Sequence, residues 1–355
     1  SLTCSELNLK NDDLEVIIVD EGDENIRNKN SHKLHVPLRY YGPKEREEWF
    51  KQRFGFPYKK YLSVIPQRAH AETSFGFLVA YEENPGMVIE LDDDVIPAKH
   101  YDLVRSHKEN LFNAGGNFVS SPCKWYNTME NLQLNINNKV FPRGHPYHPD
   151  ARNQKLSWAS EGTLCVLNMG LWLGQPDLDA LTILYWSGLD GRCHIEGKDI
   201  KRDKVVVDKG TYFAVCSMNT AFVPKIIPAF YQLYMNLLGI DRFDDIWSGI
   251  ILKRIADHLG DKVCLGKPLV YHDKRKRDTF EDLEKELEGM IINEMLWKII
   301  DSLELHGKNY HDAYSSLIDG LKKDLDKFKH HSHRKFMDVQ VRKMNLWLET
   351  IDKIR

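Results

Sequence analysis

The sequence predicts an α/β fold, a mixed sheet flanked by helices over residues 1–278, followed by a helical C-terminal extension over residues 279–355. Three observations predict it. Two apolar runs, Leu14-Glu15-Val16-Ile17-Ile18-Val19 and Met87-Val88-Ile89-Glu90-Leu91, each end in acidic residues and read as buried strands feeding polar turns. Between them, Ala71, Phe75, Leu78 and Val79 sit at helical spacing within Ala69 to Tyr81, giving a strand, helix, strand order. From Thr279 onward, apolar residues step by three and four: Phe280, Leu283, Leu287, Met290, Ile291, Met295 and Ile299, then Leu317, Leu321, Leu325 and Phe328, then Met337, Val341, Met344, Leu348 and Ile351.

The first run follows a polar lead, whereas nucleotide-binding α/β domains usually open on a strand, so the sequence reads as cropped at its front. The middle, Asn117 to Phe222, is rich in Gly, Pro, Trp and Tyr; it predicts short strands, at Thr163-Leu164-Cys165-Val166-Leu167 and Tyr212-Phe213-Ala214-Val215-Cys216, joined by long loops that suit substrate contacts. The last helical stripe is near-heptad, which fits a helix lying on its own domain and also a homo-oligomer formed through the C-terminal helices. The His330-His331-Ser332-His333 cluster reads as surface.

Composition narrows the function classes. The 355 residues carry a net charge of −3, which argues against a general nucleic-acid or membrane-surface binder, and no apolar stretch approaches a membrane span. The six cysteines, at 4, 123, 165, 193, 216 and 264, form no Cys-x-x-Cys pair, so neither a zinc ribbon nor a disulfide framework is expected, and a reducing cytoplasm fits.

The densest chemical signal is Asp92-Asp93-Asp94 at a strand end. Three adjacent carboxylates raise one another's pKa unless a cation or hydrogen-bond donors compensate. Oxygen ligands of this kind suit Mg²⁺ or Mn²⁺, which take one or two carboxylates and complete their shells with water and phosphate oxygens, so a diphosphate substrate is expected; the bland reading is a solvated acidic turn. A second acidic pair, Asp244-Asp245, precedes the amphipathic run Ile251, Leu252, Ile255 and Leu259. One of the pair is expected as a helix N-cap, and the functional reading makes one a base or a ligand for a hydroxyl. His272 follows Pro268-Leu269-Val270-Tyr271 and can complete a metal shell or be structural, while Lys274, in the basic run that follows, can neutralise phosphate. Arg143 lies in the Pro/Gly-fixed loop Phe141-Pro142-Arg143-Gly144-His145-Pro146-Tyr147 and suits a phosphate or carboxylate clamp. As a nucleophile it would need a carboxylate beside it, because guanidinium stays protonated.

Together these motifs resemble the reversibly glycosylated polypeptide family, whose plant members are UDP-arabinopyranose mutases with a type A glycosyltransferase (Rossmann-like) fold. The resemblance covers Glu15 to Met290. It rests on Val16-Ile17-Ile18-Val19-Asp20-Glu21-Gly22-Asp23, Ser74-Phe75-Gly76, Asp92-Asp93-Asp94, Arg143-Gly144-His145-Pro146-Tyr147, Pro176-Asp177-Leu178-Asp179-Ala180, Arg242-Phe243-Asp244-Asp245-Ile246-Trp247-Ser248-Gly249 and Gly266-Lys267-Pro268 with His272. It implies a UDP-sugar substrate, a divalent cation (Mn²⁺ or Mg²⁺) at Asp92, Asp94 and His272, nucleotide contacts from Asp20, Asp92, Asp93 and Lys274, and a catalytic group of Arg143, Asp244 and Asp245, with Arg143 at the position that becomes reversibly glycosylated.

The chain departs from the family pattern in three places. Thr73 stands where the family has an arginine, with Arg68 near enough to substitute; Arg152 alone matches a second arginine, across a longer loop; and the segment after His272 is more basic. Two other classes stay open, a transferase using a separate acceptor and a non-catalytic scaffold partnering an active paralogue. A phosphohydrolase could also use clustered aspartates with Mg²⁺, but the chain offers no matching nucleophile motif.

Overall fold

The structure, a computed structural model, describes residues 14–22, 37–153 and 155–354. Its strands are β1 (Val16–Val19), β2 (Leu38–Tyr41), β3 (Val88–Leu91), β4 (Val95–Pro97), β5 (Asn117–Ser120), β6 (Leu132–Leu134), β7 (Ser157–Ser160), β8 (Leu167–Gly174), β9 (Gly197–Ile200), β10 (Lys204–Val207), β11 (Asn219–Phe222) and β12 (Val263–His272). The α-helices are α1 (Pro43–Phe54), α2 (Tyr58–Leu62), α3 (Ser74–Glu83), α4 (Leu103–Phe112), α5 (Pro149–Arg152), α6 (Ala180–Tyr185), α7 (Asp244–Leu259), α8 (Thr279–Ser302), α9 (Tyr310–Lys323) and α10 (His331–Ile354).

The main sheet runs β3-β11-β8-β12-β10-β5-β7, with β4 on β12 and the β6–β9 pair attached to β8. It is mixed, as predicted: β8 and β12 pair in parallel, as do β10 and β5, whereas β11 is antiparallel to both of its neighbours. β1 and β2 form a separate parallel pair. Long, almost wholly buried β12 lies at the centre and delivers His272 at its end.

Several local expectations need correction. β3 is an edge strand among the described residues and only half-buried; Glu90 is its buried residue, because it is covered from α3 and Gln232. The run at 163–167 contributes only Leu167 to a strand, since β8 begins there. Residues 212–216 are irregular apart from one bridge between Trp125 and Tyr212; their apolar side chains are buried, but their backbone passes close under α7, where a Cβ on Gly249 would lie 2.3 Å from Val215 Cβ. Neither Asp244 nor Asp245 caps α7: Phe243 is the N-cap residue and both aspartates occupy the first turn, where the helix dipole still favours their charge.

The tail is helical as predicted, and its core is continuous with that of the sheet. Met337, Val341, Met344, Leu348 and Ile351 are all buried within the chain. On the same helix Trp347 stacks on Tyr231 at 5.0 Å and Phe336 meets Trp247 at 5.9 Å. The near-heptad stripe therefore packs on its own domain. His330 and His331 are exposed, but His333 is buried against Glu288, so the histidine cluster is only partly surface.

Candidate functional site

Arg143 is buried, and all three of its side-chain nitrogens are engaged. Nε donates to Asp177 Oδ1 at 3.1 Å, Nη2 lies 3.0 Å from Asp177 Oδ2 and 3.6 Å from Asp245 Oδ2, and Nη1 donates to the Arg242 carbonyl. The Arg143 backbone N–H also donates to the Asp177 carbonyl at 2.9 Å, so Asp177 fixes both ends of the residue. The turn that follows requires glycine: Gly144 has φ +85°, and a Cβ there would lie 2.4 Å from Ile246 Cγ2 of α7. Arg152 secures the same loop from outside, donating to the Pro146 carbonyl at 3.0 Å and lying over the rings of Tyr147 and Phe141. It buttresses the loop that carries Arg143.

The electrostatics divide the carboxylates. Burial alone would raise Asp177, but the Arg143 guanidinium outweighs it and holds the carboxyl at about 2. Asp245 is raised to about 6 by burial, Arg143 opposing and Asp244 adding to the shift. Burial would lower Arg143, yet Asp177 and Asp245 outweigh it and hold the guanidinium firmly protonated. One carboxylate is thus a fixed counter-ion and the other is poised to accept a proton. Lys274, buried near Asp177, Arg242 and Arg277, is lowered to about 8 by burial.

Asp244 reaches the acidic triplet through His70, which lies in a 3₁₀ turn just before α3. His70 Nδ1 is 2.6 Å from Asp244 Oδ2 and Nε2 is 3.1 Å from Asp92 Oδ1, with Ser217 Oγ 3.3 Å from Nε2. Burial would lower the imidazole, but Asp244 and Asp92 outweigh it and raise it well above its ordinary value. Ser217 N–H donates to Asp245 Oδ2 at 3.2 Å, tying the irregular 212–217 segment to the same pair. Beside His70, the buried Glu90 carboxyl is raised to about 8 by burial and accepts from Gln232 Nε2 at 2.6 Å.

The triplet itself fans out. Asp92 faces His70, Asp93 pairs with exposed Arg275 at 2.6 Å, and Asp94 Oδ2 lies 3.6 Å from His272 Nε2. Buried His272 has its Nδ1 2.8 Å from the Gln175 carbonyl; the ring N–H donates there, leaving the Nε2 lone pair toward Asp94. A histidine oriented in this way suits metal binding. Among the described residues, no three His, Cys, Asp or Glu side chains converge as a ready-made metal cage. Asp94 and His272 therefore make a two-ligand corner that water and phosphate oxygens could complete.

The remaining expected residues are placed less directly. Asp20 ends β1 within a network of its own: Gly22 N–H donates to its Oδ1 at 2.9 Å, Tyr40 OH donates to its Oδ2, and Arg46 joins it to Glu21 and Glu72. Arg68 is exposed and Thr73 bonds Gln232 at 3.0 Å, so the substitution expected from Arg68 is made by His70. His70 was not singled out from the sequence, and its only signal was its place before a helix facing the triplet. Asp177 was legible only within the Pro176-Asp177 motif. A cavity of about 610 Å³ lined by Lys225, Tyr310, His311 and Asp352 shares no residue with this site.

A family model of reversibly glycosylated polypeptides matches residues 58–355. The chain belongs to this family. The match extends the resemblance through the helical tail, and the mixed sheet flanked by helices is consistent with a type A glycosyltransferase-like fold. The chain is 27% identical to UDP-arabinopyranose mutase 2 of Arabidopsis thaliana over 351 residues, 96% of this chain and 85% of that protein. It is 30% identical to UDP-arabinopyranose mutase 1 of Arabidopsis thaliana over 253 residues, 68% of this chain and 62% of that protein, less than two thirds of that relative's length. Against UDP-arabinopyranose mutase 1 of Oryza sativa subsp. japonica it is 27% identical over 304 residues, 82% of this chain and 74% of that protein. Among the described residues, no helix is long and apolar enough to cross a membrane.

Proposed function

We propose that this family member is a metal-dependent UDP-sugar mutase that holds the sugar transiently on Arg143. The observation that carries the reading is the clamp: a buried arginine oriented by Asp177 on two sides and touched by Asp245, whose carboxyl stands at about 6. Names of relatives that act on UDP-arabinopyranose supply the substrate class. In the forward step the sugar's C1–O bond to the diphosphate breaks and its electron pair leaves on UDP. An Nη of Arg143 forms the C1–N bond, and the proton it sheds passes to Asp245. Reversal returns the proton to the guanidinium and the sugar to UDP with its ring form changed. Asp177 stays ionised and keeps the guanidinium plane fixed; Asp244, held by His70, supplies charge beside Asp245 and contacts the sugar.

Asp94 and His272 would hold Mn²⁺ or Mg²⁺, with Asp92 the third candidate ligand once it parts from His70. Bound there, the cation would neutralise charge gathering on the leaving diphosphate. Lys274 serves the phosphates, and Asp20 and Asp93 the nucleotide. A cytoplasmic setting rests on the five described cysteines, all of them free thiols. The competing reading, transfer to a separate acceptor, draws support from the full engagement and raised basicity of Arg143, which oppose a nucleophilic role.

Incubation with a panel of UDP-sugars and Mn²⁺, with the ring form of the recovered nucleotide-sugar read by NMR, separates these readings. Pyranose–furanose interconversion stopped by chelator is expected. Nucleotide release without ring change would overturn the mutase in favour of a transferase, and absence of metal-dependent UDP binding would favour a scaffold.

A further inference from the structure

Exposed apolar side chains gather on one face that the proposed reaction does not use. On α8, Phe280, Leu287 and Ile291 are 58%, 49% and 44% exposed; beside them Leu181 and Tyr185 of α6 and Leu189 of the following loop are 44%, 82% and 65% exposed. The two elements are locked into one surface. The Ala180 N–H donates to Glu286 at 2.7 Å, directly beneath Leu181 and Leu287, and the Thr279 N–H donates to the Leu189 carbonyl at 3.2 Å beside Phe280. Thr279 Oγ1 adds a bond to the Gly188 carbonyl at 2.8 Å. Scattered surface apolar residues need no explanation, but a contiguous rigid group of six large ones marks an interaction surface.

We infer that this face is the site where a second copy of the chain docks, as an isologous dimer. Two features select that occupant. The spacing of seven and then four from Phe280 to Leu287 to Ile291 is that of a helix ridge that interdigitates with another helix, and in a two-fold pair the same ridge supplies both partners. The borders of the patch carry opposite signs: Glu281, Glu284 and Glu288 line the exposed side of α8, while Arg192 and Lys276 lie at the 188–192 loop. A two-fold axis along the ridge sets the acidic border of each copy against the α6 and loop side of the other, which makes the patch complementary to itself. This interface differs from one through the α10 stripe, which is consumed by the chain's own core. It also lies behind the arginine clamp, since Glu286, one residue before Leu287, pairs with Arg242 at 2.7 Å and Arg242 accepts from Arg143.

Sedimentation equilibrium of the whole chain at tens of micromolar tests the inference. Wild type is expected as a dimer, and Leu287→Glu, a change at an exposed position, is expected to weaken it at least about 30-fold, as for a central interface residue, with an unchanged thermal midpoint. Leu287→Cys gives a second, fold-independent readout: mild oxidation should join two copies through residue 287. A monomeric wild type, or a dimer that withstands Leu287→Glu together with failure of Leu287→Cys to cross-link, overturns the inference.

Discussion

The arginine clamp and the aspartate triplet are both clusters of opposite charge, yet they are built in opposite ways. In the clamp, one cation is buried between two carboxylates and every donor is directed by a backbone turn that only Gly144 permits. In the triplet, three carboxylates on one short turn are drawn to three separate cations, and one of those pairs, Asp93 with Arg275, is largely exposed. Burial makes the difference. A buried pair cannot exchange its partner for water, so its geometry is set before substrate arrives, whereas partly exposed carboxylates can trade weak partners for a metal.

The comparison breaks most completely if Arg143 is dispensable. Arg143→Lys keeps a positive charge but loses the planar fork that Asp177 grips, and ring interconversion of UDP-sugars, followed by NMR, should fall to background. Asp245→Asn comes next, with an expected loss of about 10²–10⁴-fold in turnover, the range for removing a general base. Because Asp245 must be ionised to accept a proton and stands at about 6, the wild-type rate should climb as pH rises through 6 and then level off. In the variant that limb should vanish.

Asp177→Ala sharpens the contrast through stability. It leaves the buried guanidinium without its main partner, and a loss of about 3–5 kcal/mol is expected in denaturant unfolding at neutral pH. The sign with pH follows from a depressed carboxyl. Asp177 stands at about 2 in the folded protein against roughly 3.9 unfolded, so its stabilisation is complete above the unfolded value and is lost as pH falls through the folded one. The gap between wild type and variant should therefore close in strong acid. His272→Ala should weaken Mn²⁺ binding, followed by calorimetry, by at least the roughly 10–100-fold that loss of a supporting partner costs. Arg275→Ala should be the mildest change, under about 1 kcal/mol in stability, with metal binding preserved or slightly tighter because Asp93 loses a competitor.

The legibility of these two regions from the sequence also differs, for physical reasons. The triplet, the strand before it, the helix at Ala69 to Tyr81 and the helical tail depend on local periodicity and charge density, and all could be read directly. The partners of Arg143 could not, because Asp177 lies 34 residues away and meets it only when the loop closes onto β8. His70 is still harder to read: it bridges Asp92 and an Asp244 that is 174 residues away. The 212–216 run was misread as a strand because its apolar composition reports burial but not pairing, and Asp244 was misread as a cap because Phe243 starts α7 without a side-chain bond. Exposed apolar residues on α8 were hidden inside a stripe that the sequence could only assign to the core.

The central claim, that Arg143 carries the sugar, is tested most directly by intact-protein mass and peptide mapping after incubation with UDP-sugars and Mn²⁺. The account predicts a sugar-sized gain on the peptide containing Arg143, reversed by added UDP and absent in Arg143→Lys. A protein that interconverts its substrate with no such gain, or with the gain on another residue, would contradict it.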